Sequence, residues 1–164
     1  MAFRIHHRSA WKARPSGLKD ANPLSESSTL FVHYSAFGGR NYLTFRKQAE
    51  CMRTMQRHHM DINGWSDLGY SYVVFQRPWP FPARIFEGRS FRTVPSAQQG
   101  HNRGNGAVCV VALNEDIKKH TVHALRALYR RFPGRKVKGH RDVNSTSCPG
   151  DKLYAMLPKI RSAK

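Results

Sequence analysis

Acidic residues are scarce in this chain: 10 Asp and Glu stand against 28 Lys and Arg, a formal net charge of +18. A surface of that sign concentrates polyanions, whether nucleic acid, anionic lipid or the anionic polymers of bacterial envelopes. Cysteine is almost absent too. Cys51, Cys109 and Cys148 are an odd and widely spaced set, which excludes a disulfide framework. No apolar run approaches the roughly 20 residues of a membrane helix. The start, MAFRIHHRSAWKARP, is basic but has no apolar stretch behind it, so no secretory signal is expected. Spacings typical of RNA-recognition, helix-turn-helix or zinc-finger modules are also missing, and no specific nucleic-acid partner is expected.

What remains is an ordinary globular composition, 40% apolar and 11% aromatic. No repeat and no linker divides residues 1–164, so a single domain is expected, with residues 1–29 as an irregular lead-in. Leu30 to Ser35 reads as a short core strand in which His33 and Ser35 share a face, with Gly38-Gly39 ending it. Residues 42–59 have helical spacing through Phe45, Ala49, Met52 and Met55. Trp65 to Tyr70 reads as a loop, and Ser71 to Gln76 as a strand. Pro78-Trp79-Pro80-Phe81-Pro82 cannot be a central strand, because three prolines remove three donors; it predicts a stiff, exposed loop with two aromatics. Arg84 to Glu87 predicts a strand, with Phe91 to Val94 pairing nearby.

Ala107 to Leu113 is a continuous apolar run suited to a strand buried on both faces. Ile117 to Phe132 is strongly amphipathic, stopped by Pro133-Gly134. A short strand at Lys136 to Gly139 follows, and a last helix is expected from Pro149 to about Arg161. This order describes an α/β fold, a mixed central β-sheet flanked by α-helices. Cys51 and Cys109 fall in apolar patterns and read as small buried hydrophobes.

The chemistry concentrates between Gly139 and Asp151. His140 stands at a strand end, and Cys148 directly precedes Pro149, a residue favoured at the first position of a helix. A thiol there would face unpaired backbone N–H groups and the positive end of a helix dipole. Imidazole plus thiolate is half of a zinc site, and hydrolytic zinc takes three protein ligands. His33, in a core strand, is the best-placed third donor. His120 and His123 could converge at helical spacing but read better as a solvated face, and His101 lies in a loop where substrate could touch it. By spacing alone, His-x7-Cys is a weak signal.

Several segments together resemble the zinc-dependent N-acetylmuramoyl-L-alanine amidases of the type-two amidase and peptidoglycan recognition protein family, phage endolysins included. They are Arg8-Ser9-Ala10-Trp11, Phe31-Val32-His33-Tyr34-Ser35-Ala36, Gly64-Trp65-Ser66-Asp67-Leu68-Gly69-Tyr70, Phe86-Glu87-Gly88-Arg89, Gly100-His101-Asn102, Gly139-His140-Arg141-Asp142 and Cys148-Pro149-Gly150-Asp151. The resemblance implies one catalytic Zn2+ on His33, His140 and Cys148, an active-site tyrosine at Tyr70, and Thr146 at a position that some members fill with Lys. It implies hydrolysis of the amide between the lactyl group of N-acetylmuramic acid and L-alanine of the stem peptide. Members that only bind peptidoglycan typically lack the cysteine; a non-catalytic binding module is the alternative. Asp142 is expected to orient a ligand or pair with Arg141. Gln98 departs from the family, which shows a histidine in an Ala-His setting there. The remaining expectations are a monomer, adsorption of the basic surface to anionic envelope polymers, and synthesis in a host cytoplasm with action on the wall after release.

Overall fold

The computed structural model describes residues 3–18, 20–35, 42–112 and 116–163. Its strands are β1 (Ile5–His6), β2 (Thr29–Tyr34), β3 (Tyr72–Phe75), β4 (Arg84–Glu87), β5 (Gly106–Val111) and β6 (Lys136–Gly139). Its helices are α1 (Phe45–Arg57), α2 (Lys119–Arg131), α3 (Asp151–Tyr154) and α4 (Leu157–Arg161). The strands form one mixed sheet in the order β1-β4-β3-β5-β2-β6, in which only the β3–β4 pairing is antiparallel. No described helix is long and apolar enough to cross a membrane.

Period-two alternation sorts side chains to the two faces of the sheet. Leu30 and Val32 of β2, Val74 of β3 and Val108 and Val110 of β5 pack with Leu125, Leu128 and Ile160 on the α2 and α4 side. Val73, Phe75, Cys109 and Val111 pack with Met52 and Met55 of α1 on the other. His33 and Ser35 share the α1 face as expected: the Ser35 hydroxyl reaches Met55 Sδ at 3.9 Å. Strand β5 is buried along its whole length. Thr44 caps α1 by accepting the Lys47 N–H. Cys51 and Cys109 are buried within the α1-side cluster.

Three expectations change. The lead-in is not wholly irregular, because β1 adds to the sheet edge beside β4 and a short 3-10 turn (Arg8–Trp11) buries Trp11 completely. Phe91 to Val94 contributes only one isolated bridge, Thr93 to Ala21. The last helix is two: Pro158 has no N–H to give to a carbonyl one turn back, and its ring crowds that carbonyl, so a helix from 149 to 161 must break. It restarts at Leu157 with Pro158 in its first turn. The expected strand end at Gly38-Gly39 lies outside the described residues.

Candidate metal centre

Strand register assembles the site. Strand β2 runs parallel to β6 with Val32 opposite Gly139, and β6 ends there. The next residue after each is a histidine, His33 still within β2 and His140 opening a 3-10 turn, so the two become neighbours with ring centroids 4.7 Å apart. Gly139 has to be glycine, because a Cβ there would sit 2.8 Å from both Pro149 Cδ and Tyr154 Cδ2. Its bareness lets the Cys148-Pro149 segment close onto the strand end.

Residues 140–148 form a loop that returns to its own start. Asn144 N–H donates to the His140 carbonyl, and Arg141 N–H to the Cys148 carbonyl at 2.9 Å. Thr146 Oγ1 accepts the Cys148 N–H at 3.2 Å, and the Tyr34 N–H points at Cys148 Sγ at 3.4 Å. The Sγ atom then lies 3.8 Å from His33 Nδ1. Cys148 does not stand at a helix start, because α3 begins at Asp151 behind Gly150. Burial pushes the Cys148 thiol up, opposed by the Tyr34 N–H and by Arg141. A bound cation, rather than a helix dipole, would be what makes it thiolate.

Two side-chain amides set the direction of the imidazoles. Gln98 Nε2 donates to the His101 carbonyl, which turns its Oε1 to His33 Nε2 at 3.1 Å. Asn144 Nδ2 donates to the Gln99 carbonyl, which turns its Oδ1 to His140 Nε2 at 3.0 Å. An amide oxygen only accepts, so each Nε2 carries the proton and each Nδ1 is left with a lone pair. For His33 that lone pair is on the Cys148 side. Burial, with His140 beside it, lowers the His33 pKa to about 3, the Gln98 bond opposing; burial also lowers His140. Both rings are therefore neutral, the form that ligates a metal.

The donor atoms of His33, His140 and Cys148 all lie within 4.8 Å of one another. Zinc–nitrogen and zinc–sulfur bonds of about 2.0 and 2.3 Å at a tetrahedral angle put the two ligand atoms roughly 3.5 Å apart. The 3.8 Å between His33 Nδ1 and Cys148 Sγ is close to that, so the donor set fits a zinc ion. Among the described residues this is the one cluster of three or more His, Cys, Asp or Glu with such geometry. His120 and His123 are not part of it. His101 is exposed and packs towards Phe31, with ring centroids 6.4 Å apart.

Tyr70 borders the cluster, its ring 5.4 Å from that of His33. Burial, with Cys109 and Cys148 nearby, raises its pKa well above the ordinary tyrosine value, so the hydroxyl keeps its proton. A buried carboxylate places the loop that carries it. Asp67 pairs with Arg8 at 2.8 Å and accepts from Gln56 Nε2 and from the Leu68 N–H. Arg89 donates to the Leu68, Asp67 and Val94 carbonyls. Arg8, Asp67 and Arg89 come from three separate segments of the sequence and hold one loop. Asp142 does not pair with Arg141. It accepts the Gly139 N–H and the Tyr154 hydroxyl, while Arg141 pairs with Asp151. Thr146 is exposed and supports the Cys148 backbone.

Sequence reasoning passed over Asn144, although its place four residues after His140 in a tight loop was a usable signal. It saw Gln98 only as a departure, because the contact with His33 spans 65 residues.

The fold is that of the peptidoglycan recognition proteins. Drosophila PGRP-SD superposes with a TM-score of 0.80 over 96% of this chain and 95% of its own, at 23% identity. Human PGRP-IBETAC in complex with glycosamyl muramyl pentapeptide does so with a TM-score of 0.79 over 93% of each chain, at 21% identity. The sequence relatives are N-acetylmuramoyl-L-alanine amidases and peptidoglycan recognition proteins: the human amidase is 32% identical over 93% of this chain. The chain spans about a quarter of the length of the curated amidases it matches, 27% of the human and 26% of the pig protein. No family model matches it.

Proposed function

We propose that this chain is a zinc-dependent amidase that cuts the bond between the lactyl group of N-acetylmuramic acid and L-alanine of the peptidoglycan stem peptide. The observation that carries this reading is the donor set: a thiol and two neutral imidazoles, each imidazole tied back through Nε2. The amidase names of the sequence relatives support the bond class. The muramyl pentapeptide in the human neighbour's complex supports the substrate class.

His33 and His140 would hold the ion through Nδ1 and Cys148 through Sγ. Zinc supplies Lewis acidity and brings the pKa of a water towards neutrality. Tyr70 remains protonated and therefore acts as a hydrogen-bond donor to the developing oxyanion rather than as a base. Thr146 accepts from the Cys148 N–H, which leaves its own hydroxyl proton free to donate to the same oxyanion. Gln98 and Asn144 hold the rings so that the donors need little rearrangement when the ion enters. The setting we infer is endolysin-like: release to the wall followed by lysis, with the +18 charge drawing the protein to anionic envelope polymers.

Mass analysis of purified peptidoglycan digested with and without chelator tests this. The expected result is free stem peptides with a new N-terminal L-alanine, lost with chelator and restored by zinc. Wall binding with stoichiometric zinc and no such peptide would leave a recognition module instead.

A further inference from the structure

Helix α2 carries a basic stripe along the edge of the one it buries, with the buried Val122 common to both. Lys119, Val122, His123 and Arg126 recur at helical spacing, and they face Met156 and Lys159 at the start of α4. Together they form a groove of about 470 Å³. Lys119, Arg126 and Lys159 are its cations, Ile117, Val122 and Met156 its apolar floor, and among the described residues no carboxylate lines it. Neither α2 nor α4 contains an acidic residue. Among the described residues no ion pair involves a cation of either helix. Arg126 Nε is buried without a hydrogen-bond partner.

The Pro-rich loop is tied to the start of the same helix. Gln76, just before it, accepts from Lys118 N–H and the Thr121 hydroxyl and donates to the Asp116 carbonyl. Three residues on, Trp79 is 85% exposed and Phe81 50%, with Arg77 stacked over the Phe81 ring. Exposed aromatics beside unpaired cations and an apolar-floored groove match the chemistry of an anionic bilayer surface. Indole sits at the headgroup level, and lysine and arginine meet the lipid phosphates. Duplex nucleic acid would need the cations but neither the apolar floor nor the aromatic tip.

We propose that the α2–α4 groove and the Trp79-Phe81 tip together dock this protein onto an anionic lipid surface. His33 lies on the opposite, α1 side of the sheet, so docking leaves the candidate metal centre accessible.

The test is co-sedimentation of the full chain, with chelator present, on vesicles of phosphatidylcholine alone or with phosphatidylglycerol, at near-physiological salt. Binding to the anionic vesicles only is expected, with a blue shift of tryptophan fluorescence that Trp79→Phe removes. Replacing Lys119, Arg126 and Lys159 together by glutamine should weaken binding roughly a hundredfold, since each cation near the surface contributes about fivefold. That variant should keep its hydrolysis of soluble muropeptides, and Cys148→Ser should bind vesicles like the wild type, which separates docking from the metal chemistry. An equal loss on replacing Arg46, Lys47 and Arg57 of α1 would overturn the assignment to this groove. Tight binding to duplex DNA that the vesicles do not displace would overturn the lipid in favour of a nucleic acid.

Discussion

His33 and Cys148 lie in one candidate metal centre but are held in different ways. His33 stands in a strand with neighbours on both sides, is 2% exposed, and has its far nitrogen bonded to Gln98. Cys148 sits half-buried in a loop whose contacts are mostly its own backbone, the carbonyls and N–H groups of residues 140–150. The sheet holds the first donor before any ion arrives. The second depends on a local loop that the ion itself would help to fasten. A site built this way separates folding from loading: the strand half is part of the core, and the loop half is not.

The largest effect should come from removing either donor, and the comparison predicts different side effects. Cys148→Ser and His33→Ala are each expected to abolish amidase activity and stoichiometric zinc. Only His33→Ala should also destabilise the metal-free protein, by roughly 1–3 kcal/mol, because it opens space beside β5 and leaves the Gln98 oxygen buried without a donor. Thermal unfolding in chelator, with zinc content measured in parallel, checks both. Zinc retained by Cys148→Ser would refute the donor set. Equal destabilisation by the two variants would refute the contrast.

Next in size are the two amides. Gln98→Leu and Asn144→Leu keep bulk but remove the acceptor that fixes the ring, and loss of such an outer partner typically weakens metal binding about 10–100-fold. The expected result is weaker zinc binding in competition with a chromogenic chelator, with the nitrogen-15 shifts of the apo imidazoles moving towards a mixture of tautomers. Gln98→Leu should cost more stability than Asn144→Leu, since Gln98 is fully buried and bridges the sheet to the His101 turn. Unchanged tautomers in both variants would mean that the backbone alone orients the rings.

The same contrast explains what could be read from the residues. Strand β5 and helix α2 were legible because burial on both faces and a 3.6-residue stripe leave a periodic trace. His33 was legible as a core-strand residue for that reason. The place of Cys148 was misread, because Pro149 carries the signal of a helix start although the helix waits for Asp151. Pro158 held the opposite lesson: its missing N–H forbids the single C-terminal helix that the spacing of Leu153, Leu157 and Ile160 implies. Strand β1 is two residues long and leaves no period. The Arg8–Asp67–Arg89 hub and the Gln98–His33 bond join segments far apart in sequence, where composition says only that a buried charge needs partners. Resemblance flagged all three hub segments, and the structure supplies the reason that they occur together.

The effect that is smallest at neutral pH, and grows only in acid, concerns protonation and extends the strand-versus-loop contrast to stability. Burial first, then His58 and Arg89, lower the His59 pKa to about 4, with Asp67 opposing, and its Nδ1 accepts the Gly69 N–H at 3.0 Å. In the unfolded chain the same ring has a pKa near 6.5. Between pH 6.5 and about 4 the unfolded state therefore binds a proton that the folded state refuses, and folding stability falls as pH falls. His33, lowered to about 3, adds a slope of the same sign that continues further into acid. His59→Asn offers an oxygen to the Gly69 N–H without the titration. Its metal-free Tm should fall less than that of the wild type between pH 6.5 and 4, with the His33 contribution remaining. A variant whose slope equals that of the wild type would show that the Gly69 N–H does not depend on a neutral ring.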